Sequence, residues 1–296
     1  MSWLDCSSLQ VIWASTSRTC ALSTFWEDPV AWSTYLCARM PKNRWSRAWN
    51  SPDSTSGRRP VHARVRLPVV SSELVIAIDG PAGSGKSSVS KAVASRLGLS
   101  YLDTGAMYRA VTWAVLNAGV DPEDSAAVAA LIEGEGAPVI KSGTDPTNPT
   151  ICVDGTDVAE PIRGRAVTEA VSAVSAVPAV RRQLVELQRA HARDSNPGIV
   201  VEGRDIGSVV LPEAPLKIYL TADPGVRAQR RAAETDATDS TSISATEEAL
   251  RNRDAKDSTR SVSPLTRADG AVEIDTTDLT FNQVVDAVVT LAGGAE

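Results

Sequence analysis

An α/β fold, with a mostly parallel sheet covered by helices on both faces, is the prediction for residues 73–296, and three observations carry it. Short runs rich in apolar and β-branched residues recur at 74–78, 198–201 and 216–220, the pattern of buried strands, and a last strand is read at 272–275. Stretches with helical spacing of apolar residues lie between them, so strand and helix alternate along the chain. A glycine-rich turn joins the first strand directly to the first helix.

The elements follow in order. Leu74-Val75-Ile76-Ala77-Ile78 is a strand, and Asp79-Gly80 ends it. Residues 87–97 form a helix with Val89, Val93, Ala94 and Leu97 on one face and Gly98 as its stop. Helices are predicted at 108–118 and 121–132, the second with Pro122 at its start. Residues 150–153 and 156–158 flank Asp154-Gly155, a hairpin signal, because both turn positions need residues that tolerate positive φ. A helix at 177–191 has Pro178 near its start, and strands follow at 198–201 and 216–220. An arginine-rich helix at 224–233, a helix at 246–256, a strand at 272–275 and a helix at 280–291 close the chain. Residues 234–246 are polar and poor in apolar side chains, and are predicted to be flexible.

Residues 1–72 do not share this pattern. Six of the seven tryptophans fall here (Trp3, Trp13, Trp26, Trp32, Trp45 and Trp49) and follow neither period. Residues 1–73 carry nine Lys/Arg against five Asp/Glu, in a chain whose net charge is −6. Residues 2–17 hold too many Ser, Thr and Asp for a signal peptide. The Arg- and Ser-rich composition leaves a transit peptide open; the plainer readings are a disordered extension, or upstream sequence read from too early a start. Cys6, Cys20, Cys37 and Cys152 form no CxxC pair and no metal-ligand spacing, which argues against a disulfide framework or zinc site and suits a reducing cytosol. There is no apolar run of about 18 residues, and the acidic balance disfavours nucleic-acid or anionic-membrane binding. The expectation is a cytoplasmic monomer that binds neither nucleic acid nor membrane.

The sharpest motif is Gly80-Pro81-Ala82-Gly83-Ser84-Gly85-Lys86-Ser87. It fits G-x-x-x-x-G-K-[ST], after a strand and before a helix, the phosphate-binding loop of nucleoside triphosphatases and kinases. Its glycines let successive backbone N–H groups turn inward towards phosphate oxygens, and the following helix adds its positive end. Lys86 is expected to reach the β- and γ-phosphates and the Ser87 hydroxyl to ligate Mg²⁺, with Ser88 completing the ATP-binding run. The loop predicts the three-layer fold of this class and an ATP partner, but not what is done with the ATP.

Five further blocks, in order, resemble segments of bacterial cytidylate kinases. They are Asp103-Thr104-Gly105-Ala106-Met107-Tyr108-Arg109; residues 171–181; Glu202-Gly203-Arg204-Asp205-Ile206-Gly207; Arg253-Asp254-Ala255-Lys256-Asp257-Ser258-Thr259-Arg260; and Ser263-Pro264-Leu265. The resemblance spans about 74–292. It implies an ATP-dependent kinase acting on CMP or dCMP, with Mg²⁺ as cofactor. It also implies that Arg109, Arg204 and Arg260 bind the acceptor phosphate, and that Thr104 bonds to that phosphate or its neighbours. By the same resemblance Ser172, Arg181 and Asp205 read the cytosine, and Arg253 and Asp257 contact the ribose. Lys86, Arg204 and Arg260 are the expected catalytic charges. Arginine suits such work, because its planar fork binds phosphate oxygens two at a time and stays charged. The acceptor is itself an anionic oxygen, so no general base is named, and neither His62 nor His191 is a candidate.

The resemblance also implies an inserted acceptor-binding subdomain at about 134–162 and a mobile lid at about 228–260. Thr104 stands where the family would have Ser, and Glu202 where it often has Asp. Other readings stay open at this level. Arg182, Arg189 and Arg193 read as a solvated face or surface ion pairs. Arg227, Arg230 and Arg231 either contact ATP phosphates or are simply solvated, and Ser172 is either a base contact or an inert helical serine. Two rival functions also remain: a kinase of the same scaffold acting on UMP, AMP or a non-nucleotide, and a nucleotide-dependent switch. A switch would not need an acceptor pocket of arginines.

Overall fold

The computed structural model describes residues 74–233, 240–260 and 263–293. The expectations for residues 1–72, and for the 234–239 part of the proposed lid tip, lie outside the described residues.

Five strands form the central sheet: β1 (Leu74–Asp79), β2 (Ser100–Asp103), β6 (Gly198–Gly203), β7 (Leu216–Thr221) and β8 (Val272–Asp275), in the order β2-β6-β1-β7-β8. Every pairing in it is parallel, with Ile76 opposite Val200 on one side and Leu216 on the other. Side chains alternate across each strand. Ile76, Ile78, Tyr101, Val200, Ile218 and Leu220 face Val89 and Val93 of α1 (Lys86–Leu97) and Val284 and Val288 of α8 (Phe281–Gly293). Ala77, Leu102, Ile199 and Val201 face the other way. They pack with Met107 and Val111 of α2 (Thr104–Asn117) and Leu184 of α5 (Pro178–Asp194). The predicted helix–sheet–helix sandwich is therefore present. Each of the buried Val, Leu, Ile and Met side chains among these contributes about 1.5–3 kcal/mol.

A separate antiparallel sheet of β3 (Ile140–Ser142), β4 (Ile151–Val153) and β5 (Thr156–Asp157) lies within the predicted insert. Its hairpin turns at Asp154 (φ 50°) and Gly155 (φ 81°), as the sequence predicts. Asp154 also accepts a hydrogen bond from Val139 N at 2.8 Å, which fastens the turn to the chain entering β3.

Several boundaries differ from expectation for local reasons. α2 begins at Thr104 rather than 108, because the Asp103 carboxylate accepts from Ala106 N at 2.9 Å and caps the helix. α3 (Ser125–Glu133) begins later than predicted. Asp124 caps it through Ala126 N and Ala127 N, both at 3.0 Å, and Pro122 lies in the preceding turn. α4 (Arg165–Ala176) was not predicted as a helix, although its buried Val167, Ala170, Val171 and Val174 do repeat three and four apart. α6 (Pro224–Ala233) matches its prediction, whereas α7 (Ser240–Ser258) starts six residues early. The flexible stretch expected to reach 246 is thus helical from 240. Its Ser, Thr and Ala residues lack a Gly or Pro stop, so the Glu- and Leu-containing helix that follows propagates back through them. Among the described residues no helix is long and apolar enough to cross a membrane.

Candidate active site

The site is built at the carboxyl ends of β1 and β6. After Asp79 the chain turns through Gly80 at φ +146°, where a Cβ would lie 2.0 Å from Leu220 O on β7. Gly83 (φ +76°) passes close to Arg227, where a Cβ would meet Arg227 O at 2.9 Å. A side chain at Gly80 would push the loop off the sheet, and one at Gly83 would push it off the helix at 224–233. Inside the loop Ser84 Oγ donates to Pro81 O at 3.1 Å and Lys86 Nζ donates to the same oxygen at 2.7 Å. No side chain caps the first turn of α1, so its N–H groups are left for an anion. Ala82, Gly83, Gly85, Lys86, Ser87 and Ser88 of the predicted ATP-binding run line a cavity of about 610 Å³. Gly80, Pro81 and Ser84 are buried behind it.

β6 reaches two residues beyond its predicted end and brings Glu202 beside the loop. Ser87 Oγ donates to Glu202 Oε2 at 3.0 Å, and the buried Tyr101 hydroxyl donates to the other carboxylate oxygen. Burial pushes the Glu202 carboxyl up and the Lys86 amine down, with Arg204 adding to the shift of Lys86. An incoming polyphosphate would favour the charged amine again. Glu202 therefore does more than end a strand.

The turn after β6 is pinned from below. Both oxygens of the buried Asp79 accept backbone bonds, from Ile206 N and Gly207 N at 2.8 Å each. Burial lifts the Asp79 carboxyl to about 6 against these bonds. The pinned turn sends Arg204 and Asp205 towards the cavity. Arg204 donates to Gly80 O at 3.1 Å and pairs with Asp257 through Nε at 3.2 Å.

All nine predicted acceptor residues line this one cavity: Thr104, Arg109, Ser172, Arg181, Arg204, Asp205, Arg253, Asp257 and Arg260. Their surroundings differ. Arg181 and Asp205 are almost fully buried and joined through Nη2 and Oδ2 at 2.5 Å. The guanidinium also stacks 5.4 Å from the centre of the Tyr108 ring. Arg109 donates to Ile162 O at 3.0 Å and Thr168 Oγ1 at 2.9 Å, which ties α2 to the end of the insert. Arg260 donates to Asp257 O at 3.2 Å and leaves Nη2 buried without a partner, as does Nε of Arg253. Burial lowers the pKa of Arg109, Arg253 and Arg260, and each remains a cation at neutral pH. Thr104 is buried and its hydroxyl donates to Glu202 O at 2.6 Å, so here it joins α2 to β6. Ser172 is half-buried on α4 at the cavity wall.

Of the arginines left open, Arg182 makes an exposed pair with Glu133 and Arg193 is exposed. Arg189 makes the expected surface ion pair, 3.7 Å from Glu186, and also donates to the carbonyls of Val209 and Val210 at 3.0 and 2.9 Å. Arg230 turns away to Thr276, Arg231 lines the cavity, and Arg227 is buried against the loop, donating to Ala82 O at 3.0 Å. The residue not singled out from sequence is Asp254. It accepts from Ala82 N at 3.3 Å and pairs with Arg227 at 2.5 Å and Arg204 at 3.4 Å. Its only sequence signal was its place between Arg253 and Asp257.

Comparison with known proteins agrees with this geometry. The profile of the cytidylate kinase family matches residues 76–293. The chain is 60% identical over 218 residues to a cytidylate kinase of Streptomyces avermitilis, covering 74% of this chain and 92% of that protein. It is 59% identical over 226 residues to one from Streptomyces griseus, with 75% and 94% covered. It is 54% identical over 224 residues to one from Mycolicibacterium paratuberculosis, with 73% and 94% covered. With the phosphate loop, the arginine-lined cavity and these relatives together, the chain belongs to the cytidylate kinase family.

Proposed function

We propose that this enzyme transfers the γ-phosphoryl group of MgATP to CMP or dCMP, giving ADP and CDP or dCDP. The observation that supports this best is that five guanidinium groups, of Arg109, Arg181, Arg204, Arg253 and Arg260, line the same cavity as Lys86. Two polyanions held in contact need such a density of positive charge.

In this reading an oxygen of the acceptor phosphate attacks the γ-phosphorus, and the bond from that phosphorus to the β–γ bridging oxygen breaks. The acceptor oxygen is already anionic, so no proton need be removed. Lys86, Arg204 and Arg260 neutralise charge on the moving group, Arg109 holds the acceptor phosphate, and alignment supplies most of the remaining rate. Asp205 accepts from the cytosine amino group while Arg181 donates to the N3/O2 edge. Arg253 and Asp257 bind the ribose.

The donor set suits magnesium. Among the described residues no cluster of three or more His, Cys, Asp or Glu could hold a metal alone. Mg²⁺ characteristically binds one or two protein oxygens and completes its shell with phosphates and water. Ser87 Oγ would hold it, with Glu202 bonded to that hydroxyl. When bound, the ion supplies charge neutralisation on the phosphate oxygens. The enzyme is proposed to act as a cytoplasmic monomer, with residues 1–72 dispensable.

A panel of CMP, dCMP, UMP and AMP, read by ADP release on the full chain and on residues 73–296, tests this. CMP or dCMP is expected to lead for both proteins with matching melting temperatures. A preference for AMP would overturn the base assignments, and ATP consumption indifferent to added CMP would favour a switch. In the same assay Arg181→Ala is expected to raise KM for CMP much more than KM for ATP.

A further inference from the structure

Asp254 presents a carboxylate to a donor set made for phosphate. One oxygen accepts from Ala82 N of the phosphate loop at 3.3 Å and lies 3.4 Å from Nη1 of Arg204. The other lies 2.5 Å from Nη1 of Arg227. One loop amide and two guanidiniums are the partners that an oxygen of a bound polyphosphate would seek. Arg204 and Arg227 themselves donate to loop carbonyls, at Gly80 O and Ala82 O. The carboxylate is thus clamped where α7 meets the cradle. Lys86 is turned inward at the same time, donating to Pro81 O. Ala82 N, Lys86 Nζ and one nitrogen each of Arg204 and Arg227 are thus engaged from within the chain, while Arg227 Nε is buried without a partner.

Resting on the kinase reading above, we propose that Asp254 is an internal stand-in for the donor phosphate, which binds the cradle when no nucleotide is there and is displaced by the polyphosphate of the incoming donor. Two anions cannot share one amide and one pair of guanidiniums without strong repulsion. Displacement frees Ala82 N, Arg204 and Arg227 for the donor and releases the grip of α7 on the loop. The cost is affinity: the competent fraction of the protein is reduced by the self-occupied state, and the apparent dissociation constant rises in proportion. The contact also lets α7 report whether a donor phosphate is bound.

The test compares wild type with Asp254→Asn, Asp254→Ala and Asp254→Glu, titrating MgADP and, separately, inorganic tripolyphosphate by calorimetry. Removing the charge is expected to tighten both ligands by about tenfold, the equivalent of one charge-assisted hydrogen bond. The Glu variant is expected to remain near wild type. Unchanged or weaker MgADP binding in the Asn and Ala variants would overturn the proposal and make Asp254 a strut for the two arginines. If those variants lose their fold, a crystal structure of wild type with MgADP decides. Asp254 still bonded to Ala82 N would overturn the proposal, and Asp254 moved out of reach would support it. Wild-type protein that binds neither MgADP nor tripolyphosphate would instead refute the kinase reading itself.

Discussion

Asp205→Asn exchanges the carboxylate proposed to read the base for an amide of nearly the same shape, and its consequences can be worked from the buried Arg181–Asp205 pair. Both side chains are about 5% exposed or less. The variant therefore leaves the Arg181 guanidinium buried beside a neutral group, with only the Tyr108 face and Ser175 O as further partners. Breaking such a pair costs about 3 kcal/mol or more. For a domain of this size that corresponds to a fall of roughly 6–12 °C in Tm. The effect on specificity is separate. A carboxylate accepts from the cytosine amino group and repels the uracil O4, whereas an amide can turn its N–H₂ towards O4. With about 1.4 kcal/mol lost for CMP and a similar amount gained for UMP, the ratio of kcat/KM for the two falls on the order of 100-fold. The assay is coupled ADP release with each nucleotide on one preparation, so the folded fraction cancels in the ratio. An unchanged CMP:UMP ratio would refute Asp205 as a base contact. An unchanged Tm would refute the energetic argument for the pair.

Two further expectations concern the frame of the site. Gly80→Ala puts a Cβ 2.0 Å from Leu220 O and is expected to lower stability by about 3 kcal/mol or more, read as a urea midpoint. Gly85→Ala meets nothing within 4 Å and pays only for its φ of +86°, about 1 kcal/mol. Equal midpoints for the two variants would contradict this contrast. Asp79 tests the pH dependence. Its folded pKa of about 6 lies above the ordinary value of 3.8 for an aspartate, so the folded protein holds the proton more tightly than the unfolded chain does. Its contribution to stability is therefore greatest at low pH and is lost as pH rises from about 4 to about 6, by about 3 kcal/mol in all. Asp79→Asn is expected to remove that slope from denaturation curves. A slope that survives the substitution would mean that other groups carry it.

The order of strands and helices was legible because it depends on local periodicity. Residues 74–78 and 198–201 are apolar at nearly every position, and 216–220 alternates with Lys217 and Tyr219 on one face, lengths and patterns that fit strands of the central sheet. The short β2 and β3 lacked enough length for that signal and became strands by pairing, β2 with a neighbour distant in the chain, as Tyr101 pairs with Val200, and β3 with nearby β4. α2 and α3 moved their starts because the capping aspartates, Asp103 and Asp124, outweighed the apolar pattern.

The composition of the cavity could be read in one dimension, since a glycine-rich loop and arginine-bearing blocks carry their chemistry in residue type and spacing. What each side chain binds could not, because hydrogen bonds join residues far apart in the chain. The sequence by itself determined that Lys86 and a set of arginines would serve phosphate. Only the tertiary structure decided that Thr104 bonds to Glu202, that Arg189 also donates to the carbonyls of a distant turn, and that Asp254 reaches back 172 residues to Ala82. The physical reason is that donors and acceptors withdrawn from water must find partners, and the fold, not the neighbouring sequence, supplies the partner within reach.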